Sequence, residues 1–156
     1  MRKGQAKKRE INPDPIYNDI LVTKFVNNLM EGGKKSKAYK IVYGALEIIK
    51  TKIKEENELE VWKKALRNVM PSVEVKGRRI GGATFQIPTE VSEKRRLSLG
   101  MKWMISFSRK RSGKTMTDNL ANEVLAAYKN EGGAVKKKEE MHRMAEANKA
   151  FSHFRF

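Results

Sequence analysis

The hydrophobic positions in the first half of this chain repeat with the period of an amphipathic helix. Three helices are predicted there. The first begins at Ile20 and is ended by the pair Gly32-Gly33. The second opens at residues 34–36 and runs to Ile53, and the third opens at Asn57, which forms a variant capping box with Glu60. Pro71 ends the third helix because proline has no amide hydrogen to continue it.

Residues 72–91 change to the alternating pattern of a strand. Apolar side chains recur at every second position, first at Val73 and Val75 and then at Phe85 and Ile87. The glycines of the intervening segment 76–82 permit a turn. We therefore expect one β-hairpin at about 73–90, with two arginines near its tip. An isolated hairpin is marginally stable in water, so it has to lean on the helices or on a partner.

Three further helices are predicted after the hairpin. The fourth runs from about Ser92 to Ser108, and a basic loop over 109–114 follows it. Thr115 or Thr117 caps the fifth helix, which the pair Gly132-Gly133 ends. The sixth runs from about Val135 to Asn148. The prediction is a mainly α single domain over 1–156: a flexible basic arm at 1–17, a body at 18–148 and a tail at 149–156.

Positive charge is concentrated in two parts of the chain. The 34 Lys and Arg residues exceed the 18 Asp and Glu residues by 16. Residues 76–114 carry 11 basic and two acidic groups, and residues 1–11 carry five and one, so 13 net charges lie in 50 residues. Such concentration destabilises a fold by self-repulsion and indicates an anionic partner. Arg95 and Arg96 also oppose the dipole of the fourth helix, and a bound anion would reverse that effect.

Other functional classes have weak support. The chain has no cysteine and two histidines, so disulfides, thiol nucleophiles and Cys- or His-rich metal sites are not expected. Gly113-Lys114-Thr115 resembles the end of a phosphate-binding loop, but Ser108 stands where that motif needs glycine. The acidic residues near Glu58 alternate with lysines, as in a solvated helix end. His142 is interpreted as a polar surface group or a phosphate contact. We expect no catalytic residue, cofactor or metal.

Localisation follows from what the sequence lacks. No apolar run of about 20 residues is present, so no spanning helix and no membrane partner are expected. The basic first residues are not followed by the apolar stretch of a signal peptide. The expectation is a cytoplasmic protein with a polyanionic partner.

Three segments together resemble one known family. They are DPIYNDILVTKFVNNLMEGGKKSKA at 14–38, VEVKGRRIGGATFQIPTEV at 73–91 and MHRMAEANKAFSHFRF at 141–156. They are similar to the family of small-subunit ribosomal protein seven in its bacterial form, and the resemblance covers nearly the whole chain. It implies a bundle of six helices with a hairpin protruding between the third and fourth.

The resemblance also implies a function. It implies a structural constituent of the small ribosomal subunit that binds the 3′ major domain of its RNA and nucleates assembly of the subunit head. It implies a position at the subunit interface, near the exit-side tRNA and the path by which mRNA leaves. Neighbouring head and platform proteins are the implied protein partners, and the chain is expected to be a monomer outside the ribosome.

The resemblance implies which residues touch RNA. They lie on the arm, the turn after the first helix, the hairpin, the fourth helix, the loop after it and the last helix: Lys3, Lys7, Lys8, Arg9, Lys34, Lys35, Lys76, Arg78, Arg79, Arg95, Arg96, Lys102, Arg109, Arg111, Lys114, Lys136, Lys137 and Arg143. A second group would face tRNA, mRNA or a neighbouring protein, from the hairpin tip and the tail: Ile80, Gly81, Gly82, Ala83, Asn148, Phe151, His153, Phe154, Arg155 and Phe156.

Two features depart from the family pattern, and one alternative function remains. The arginine-rich start of the arm is reduced here to Arg2-Lys3, and this chain has Phe156 where many relatives end in tryptophan.

A basic hairpin arm with a proline beside it also suits a DNA-bending architectural protein. Tighter binding to bent duplex DNA than to folded RNA would favour that alternative.

Overall fold

A computed structural model describes Gly4 and residues 9–154. Within these residues it contains six α-helices, one two-stranded hairpin and a final 3-10 helix, in the order α1 Ile20–Leu29, α2 Lys35–Lys52, α3 Glu58–Val69, β1 Val73–Ile80, β2 Ala83–Glu90, α4 Glu93–Lys110, α5 Met116–Tyr128, α6 Gly133–Ala147 and a 3-10 helix at Lys149–Phe154. The predicted mainly α fold, with a hairpin between the third and fourth helices, is confirmed.

The core lies between the helices, and α5 is central to it. Helix α5 packs against α2, α3 and α4, and α1 closes the core from the side of α2 and α4. The ring of Phe25 meets the ring of Trp62 edge-on, with 5.4 Å between centroids. Both side chains are at most 3% exposed. The apolar stripes read from the sequence therefore face one shared interior, which gives the hairpin a rigid base.

Local capping residues fix where three helices begin. The side chain of Asp19 accepts a hydrogen bond from the Leu21 amide, and that of Asn57 accepts one from the Leu59 amide. Thr115 accepts one from the Asp118 amide, so Thr115 rather than Thr117 caps α5. Each cap satisfies an amide that has no partner inside its own helix.

Several element boundaries differ from the sequence prediction. The strands extend to Ile80 and from Ala83, so most of the segment 76–82 is paired strand and only Gly81 and Gly82 form the turn. Both glycines have positive φ, as a two-residue type I′ turn requires. Helix α4 continues to Lys110, so the first two basic residues of the predicted loop belong to its last turn. Helix α6 begins at Gly133 rather than at Val135.

The predicted arm is partly folded onto the body. Asp14 is 1% exposed, and its carboxylate accepts hydrogen bonds from the amides of Ile16 and Tyr17 and from the Tyr43 hydroxyl. Burial and the bond to Asp14 raise the pKa of Tyr43 above its ordinary value. Residues 14–17 were predicted to belong to the arm because residues 1–17 are polar and contain Pro13 and Pro15. In the structure this turn is part of the body.

Candidate nucleic-acid interface

The two hairpin arginines lie on opposite faces of the strand pair. Arg78 pairs with Phe85 and Arg79 pairs with Thr84 in the antiparallel register. Because successive side chains alternate between faces, Arg78 shares its face with Phe85, which is half-buried. Arg79 is on the other face, is exposed and has no hydrogen-bond or ion-pair partner among the described residues. The sequence treated the two as one pair, whereas the structure gives them different surroundings.

The base of the hairpin is held to α4 by an ion pair. Glu74 is 5% exposed, and the Arg95 guanidinium donates from Nε at 2.8 Å to both of its carboxylate oxygens. Lys76 is a further cation at 3.4 Å from this carboxylate. Burial alone would raise the pKa of Glu74, but the hydrogen bonds and charge of Arg95 outweigh it and lower the pKa. The anion expected near the start of α4 is therefore supplied by the protein itself.

Two more contacts fix the residues that precede β1. Arg96 Nε donates to the Pro71 carbonyl at 3.1 Å, and the Ser72 amide donates to His142 Nε2 at 3.1 Å. His142 was expected to be a surface group or a phosphate contact, and it is instead an acceptor for the backbone. Burial and the nearby charges of Lys138 and Arg96 lower the pKa of His142, which favours this neutral, accepting form.

Cations from two other helices meet at the carboxyl end of α1. A groove of about 420 Å³ is lined by Lys34, Lys37 and Arg109, and an adjoining groove of about 330 Å³ by Lys102, Arg109 and Lys110. Arg109 borders both grooves. Its guanidinium donates to the Leu29 carbonyl at 3.2 Å and lies 2.8 Å from the Glu31 carboxylate. We call Lys34, Lys37, Lys102, Arg109 and Lys110 the α1-end cluster.

The fourth helix connects this cluster to the hairpin. Arg95, Lys102 and Arg109 are each seven residues apart and are exposed, so they form one stripe along α4. At 1.5 Å per residue the stripe is about 21 Å long. It runs from the hairpin base to the α1-end cluster. Arg95 is paired with Glu74 and Arg109 with Glu31, so Lys102 is the cation of the stripe that has no counter-charge among the described residues.

Arg111 has a structural partner. Its Nε donates to Glu123 at 2.5 Å, and Glu123 is 1% exposed. The second oxygen of Glu123 accepts the Ala134 amide at 2.9 Å, at the start of α6. This ion pair joins the loop after α4 to α5 and α6. Arg111 was expected to bind RNA, and the structure gives it a role inside the fold.

The remaining expected RNA contacts are distributed over the surface. Arg9, Lys114, Lys136 and Arg143 are exposed. Lys35 Nζ lies 5.7 Å from the Tyr39 ring centroid, and Lys137 Nζ lies 2.8 Å from the Glu140 carboxylate. None of these residues belongs to the stripe or to the α1-end cluster. Lys35 follows Lys34 in sequence, and Lys34 does belong to that cluster.

The hairpin and the tail are in contact. The rings of Phe85 and Phe151 are tilted, with 5.2 Å between centroids, and the 3-10 helix packs on β2. Asn148 ends α6 and donates from its side chain to the Met144 carbonyl at 2.8 Å. His153 and the tip from Gly81 to Ala83 are exposed, and Ile80 is half-buried.

Six expected contacts lie outside what the structure describes. They are Lys3, Lys7, Lys8, the side chain of Phe154, Arg155 and Phe156.

Sequence reasoning missed several residues of this region. Glu74 and Glu123 were not singled out, although each holds an arginine that was. Their only sequence signal is an isolated carboxylate in an otherwise apolar or basic stretch. Lys37 and Lys110 belong to the α1-end cluster but were not among the expected contacts. Lys138 is the last of three consecutive lysines. It donates from Nζ to the Asn68 carbonyl at 2.6 Å, so this lysine is bound to the helical body.

The described residues contain no group of three or more potential metal ligands. Over the same ranges, no helix is long and apolar enough to cross a membrane.

Comparison with known proteins gives consistent matches. Residues 1–149 match the family model described as ribosomal protein S7p/S5e. A Porphyromonas gingivalis protein named small ribosomal subunit protein uS7 is 60% identical over 158 residues, and the alignment covers all of both chains. Proteins of the same name from Cytophaga hutchinsonii and Flavobacterium johnsoniae are each 60% identical, again over the full length of both chains.

Proposed function

This chain belongs to the family of ribosomal protein S7p/S5e, and on that premise we propose that it binds the 3′ major domain of small-subunit RNA and nucleates assembly of the subunit head. The chain is therefore a ribosomal protein of the small subunit. Proteins of this family are structural components of the ribosome and not enzymes. In bacteria the chain is part of the cytoplasmic ribosome. Its general partners are ribosomal RNA and neighbouring ribosomal proteins.

The observation that carries the RNA proposal is the stripe on α4 with the α1-end cluster. Lys34, Lys37 and Lys102 have no hydrogen-bond or ion-pair partner for their side chains among the described residues; the first two border one of the adjoining grooves and Lys102 borders the other. Cations without a counter-charge in the protein favour the binding of backbone phosphates. An A-form helix hides its base edges in a deep groove, so such a surface reads folded shape more than sequence.

The hairpin supplies the second part of the proposal. Its exposed face presents Arg79 next to a two-residue glycine turn, and its other face packs on α6 and the tail. We propose that the tip and residues 148–156 face the exit-side tRNA, the departing mRNA or a neighbouring protein. The packing of Phe151 on Phe85 supports this grouping because it joins the two segments.

The test is a filter-binding titration at two salt concentrations. The ligands are the 3′ major domain of small-subunit RNA, an unrelated folded RNA of equal length and bent duplex DNA. With roughly eight phosphates neutralised, a fourfold increase in salt should weaken binding on the order of a thousandfold or more. Preference for the ribosomal domain should persist at the higher salt. Equal affinity for all three ligands, or a flat salt profile, contradicts the proposal, and tighter binding to DNA favours the architectural alternative.

Matched variants locate the surface. Lys34→Ala with Lys102→Ala should reduce the salt slope by about two, one for each phosphate that the variant no longer neutralises. The control is Lys54→Ala with Lys129→Ala, which removes the same charge from exposed positions outside the stripe and the α1-end cluster. Equal effects of the two double variants would mean that only the net charge matters.

A further inference from the structure

A separate groove lies between α1, α3 and the first turns of α4. Its volume is about 570 Å³, larger than either groove of the α1-end cluster. Among the residues that the structure describes, none that lines this groove is expected to touch RNA. A groove of this size accommodates the side chains of a bound segment.

The floor of this groove is apolar. It is formed by Leu21, Leu66, Met70 and Leu97. Leu66 is 2% exposed, and the other three are half-buried. Helix α4 lies close to α3 here, because a Cβ atom added at Gly100 would meet the Met70 side chain at 2.8 Å. The floor is therefore held in place by the packing of two helices, while methionine keeps some adaptability in shape.

The rim of the groove carries cations that the fold does not neutralise. Lys63 lies 2.8 Å from the Asp19 carboxylate and is used within the fold. Lys24, Arg67 and Lys94 have no ion-pair or hydrogen-bond partner for their side chains in the described part of the chain. Three partnerless cations above an apolar floor match a ligand that has both carboxylates and a large apolar side chain.

The floor of the groove disfavours RNA. The carboxylates of Glu60 and Glu93 also border the groove, but they repel phosphates and carboxylates alike and so do not distinguish the two ligands. None of the described lining residues is aromatic, so an unpaired base has no ring on which to stack. The leucines and Met70 offer a base edge no strong donor or acceptor.

We propose that this groove docks a segment of another protein in which one or two large apolar side chains are flanked by Asp or Glu. The apolar side chains enter between α3 and α4, and the carboxylates pair with Arg67, Lys94 and Lys24 at the rim. A small protein interface usually has apolar anchor side chains in a pocket and charged pairs around them. The surface goes beyond RNA binding and does not depend on it.

Site-specific photo-crosslinking in assembled small subunits tests the proposal directly. A benzophenone amino acid replaces Arg67 in the full chain, with Lys54 replaced as the control position. The expected product is a crosslink from position 67 to a protein segment whose sequence, read by mass spectrometry, has Asp or Glu beside a large apolar residue. A crosslink to ribosomal RNA, to a second copy of this chain or to a basic segment overturns the proposal.

A peptide titration tests the chemistry without the ribosome. The probe is a 12-residue peptide with two leucines four positions apart and glutamates between them. The control peptides replace the leucines by serine or the glutamates by lysine. The probe should shift the methyl NMR signals of Leu21, Met70 and Leu97 in the isolated protein, and both control peptides should bind at least about tenfold more weakly. Equal binding of the serine peptide, or no shifts at millimolar probe, overturns the proposal.

Charge reversal separates this groove from the RNA surface. Arg67→Glu with Lys94→Glu should weaken binding of the probe peptide about tenfold or more. Lys54→Glu with Lys129→Glu, which changes the net charge equally, should alter the affinity for the peptide by less than about twofold. Both double variants should bind the ribosomal RNA domain equally. A loss of RNA binding specific to the Arg67 and Lys94 variant would assign the groove to RNA instead.

Discussion

Replacing Arg111 by alanine should destabilise the fold rather than weaken RNA binding directly. The change leaves the Glu123 carboxylate buried at 1% exposure without its cation. Breaking a buried ion pair costs about 3–5 kcal/mol. Here the arginine side chain is 34% exposed and the Ala134 amide still donates to Glu123, so we expect about 2–3 kcal/mol. For a chain of this size that lowers the melting temperature by about 4–12 °C.

Thermal and urea unfolding of Arg111→Ala, Glu123→Gln and the double variant measure this effect. Glutamine keeps an oxygen for the Ala134 amide but removes the charge, so it should cost about 1–2 kcal/mol. The double variant should lose less than the sum, with a coupling of about 0.5–3 kcal/mol. Lys114→Ala, three residues away and exposed, is the control and should leave stability within about 0.5 kcal/mol. If Arg111→Ala keeps the stability of the unaltered protein and still loses RNA affinity, the structural role is wrong.

Three further changes have expected outcomes. Leu66→Ala should lower the free energy of unfolding in urea by about 2–5 kcal/mol, because the Leu66 side chain is 2% exposed. A loss below about 0.5 kcal/mol would mean that α3 turns a different face to the core. Burial and neighbouring cations lower the pKa of His142, so the unfolded chain takes up the proton first, and stability should fall as pH drops below about 6.5. Melting temperatures at pH 7.5 and 5.5 should show a smaller pH effect in His142→Asn, and an unchanged effect would exclude the bond to Ser72 as its source. Phe151→Ala should remove about 0.5–1.5 kcal/mol of ring contact with Phe85 and speed hydrogen exchange in β2, whereas unchanged exchange would mean that the tail does not support the hairpin.

The helices were predictable because their signal is local. The stripe of Val61, Ala65 and Leu66 repeats within one helix, and Asn57 is a cap that is visible beside it. The position and overall length of the hairpin were predictable, but not the point at which its strands meet the turn. Lys76 and Arg78 continue β1 although they are polar, because the backbone pairing with β2 runs to the turn.

The contacts of the candidate interface were not predictable from the sequence, because they join distant segments. Glu74 and Arg95 are 21 residues apart, and Arg109 lies 80 residues from the Leu29 carbonyl that it binds. Nothing in the local pattern says which carboxylate faces which arginine. The concentration of charge at 76–114 indicates an anionic partner, but only the packing of α4 shows which cations still lack one.

The arginines and lysines between 92 and 114 divide by role, and the chemistry of the two side chains explains the division. All four arginines of this segment donate to an acceptor of the protein: Arg95 to Glu74, Arg96 to Pro71, Arg109 to Leu29 and Arg111 to Glu123. Lys102, Lys110 and Lys114, which lie outside the groove between α1, α3 and α4, have no such acceptor among the described residues. A guanidinium has five donors in a fixed plane, so it holds a carboxylate or carbonyl and keeps donors for a second ligand, whereas an ammonium is a mobile, strongly hydrated point charge. The arginines therefore fix where the hairpin, the end of α1 and the start of α6 lie. The lysines, already placed by that framework, supply the charge that a polyanion still has to neutralise, so the salt slope should follow these lysines and Arg79 more closely than the formal charge of the segment.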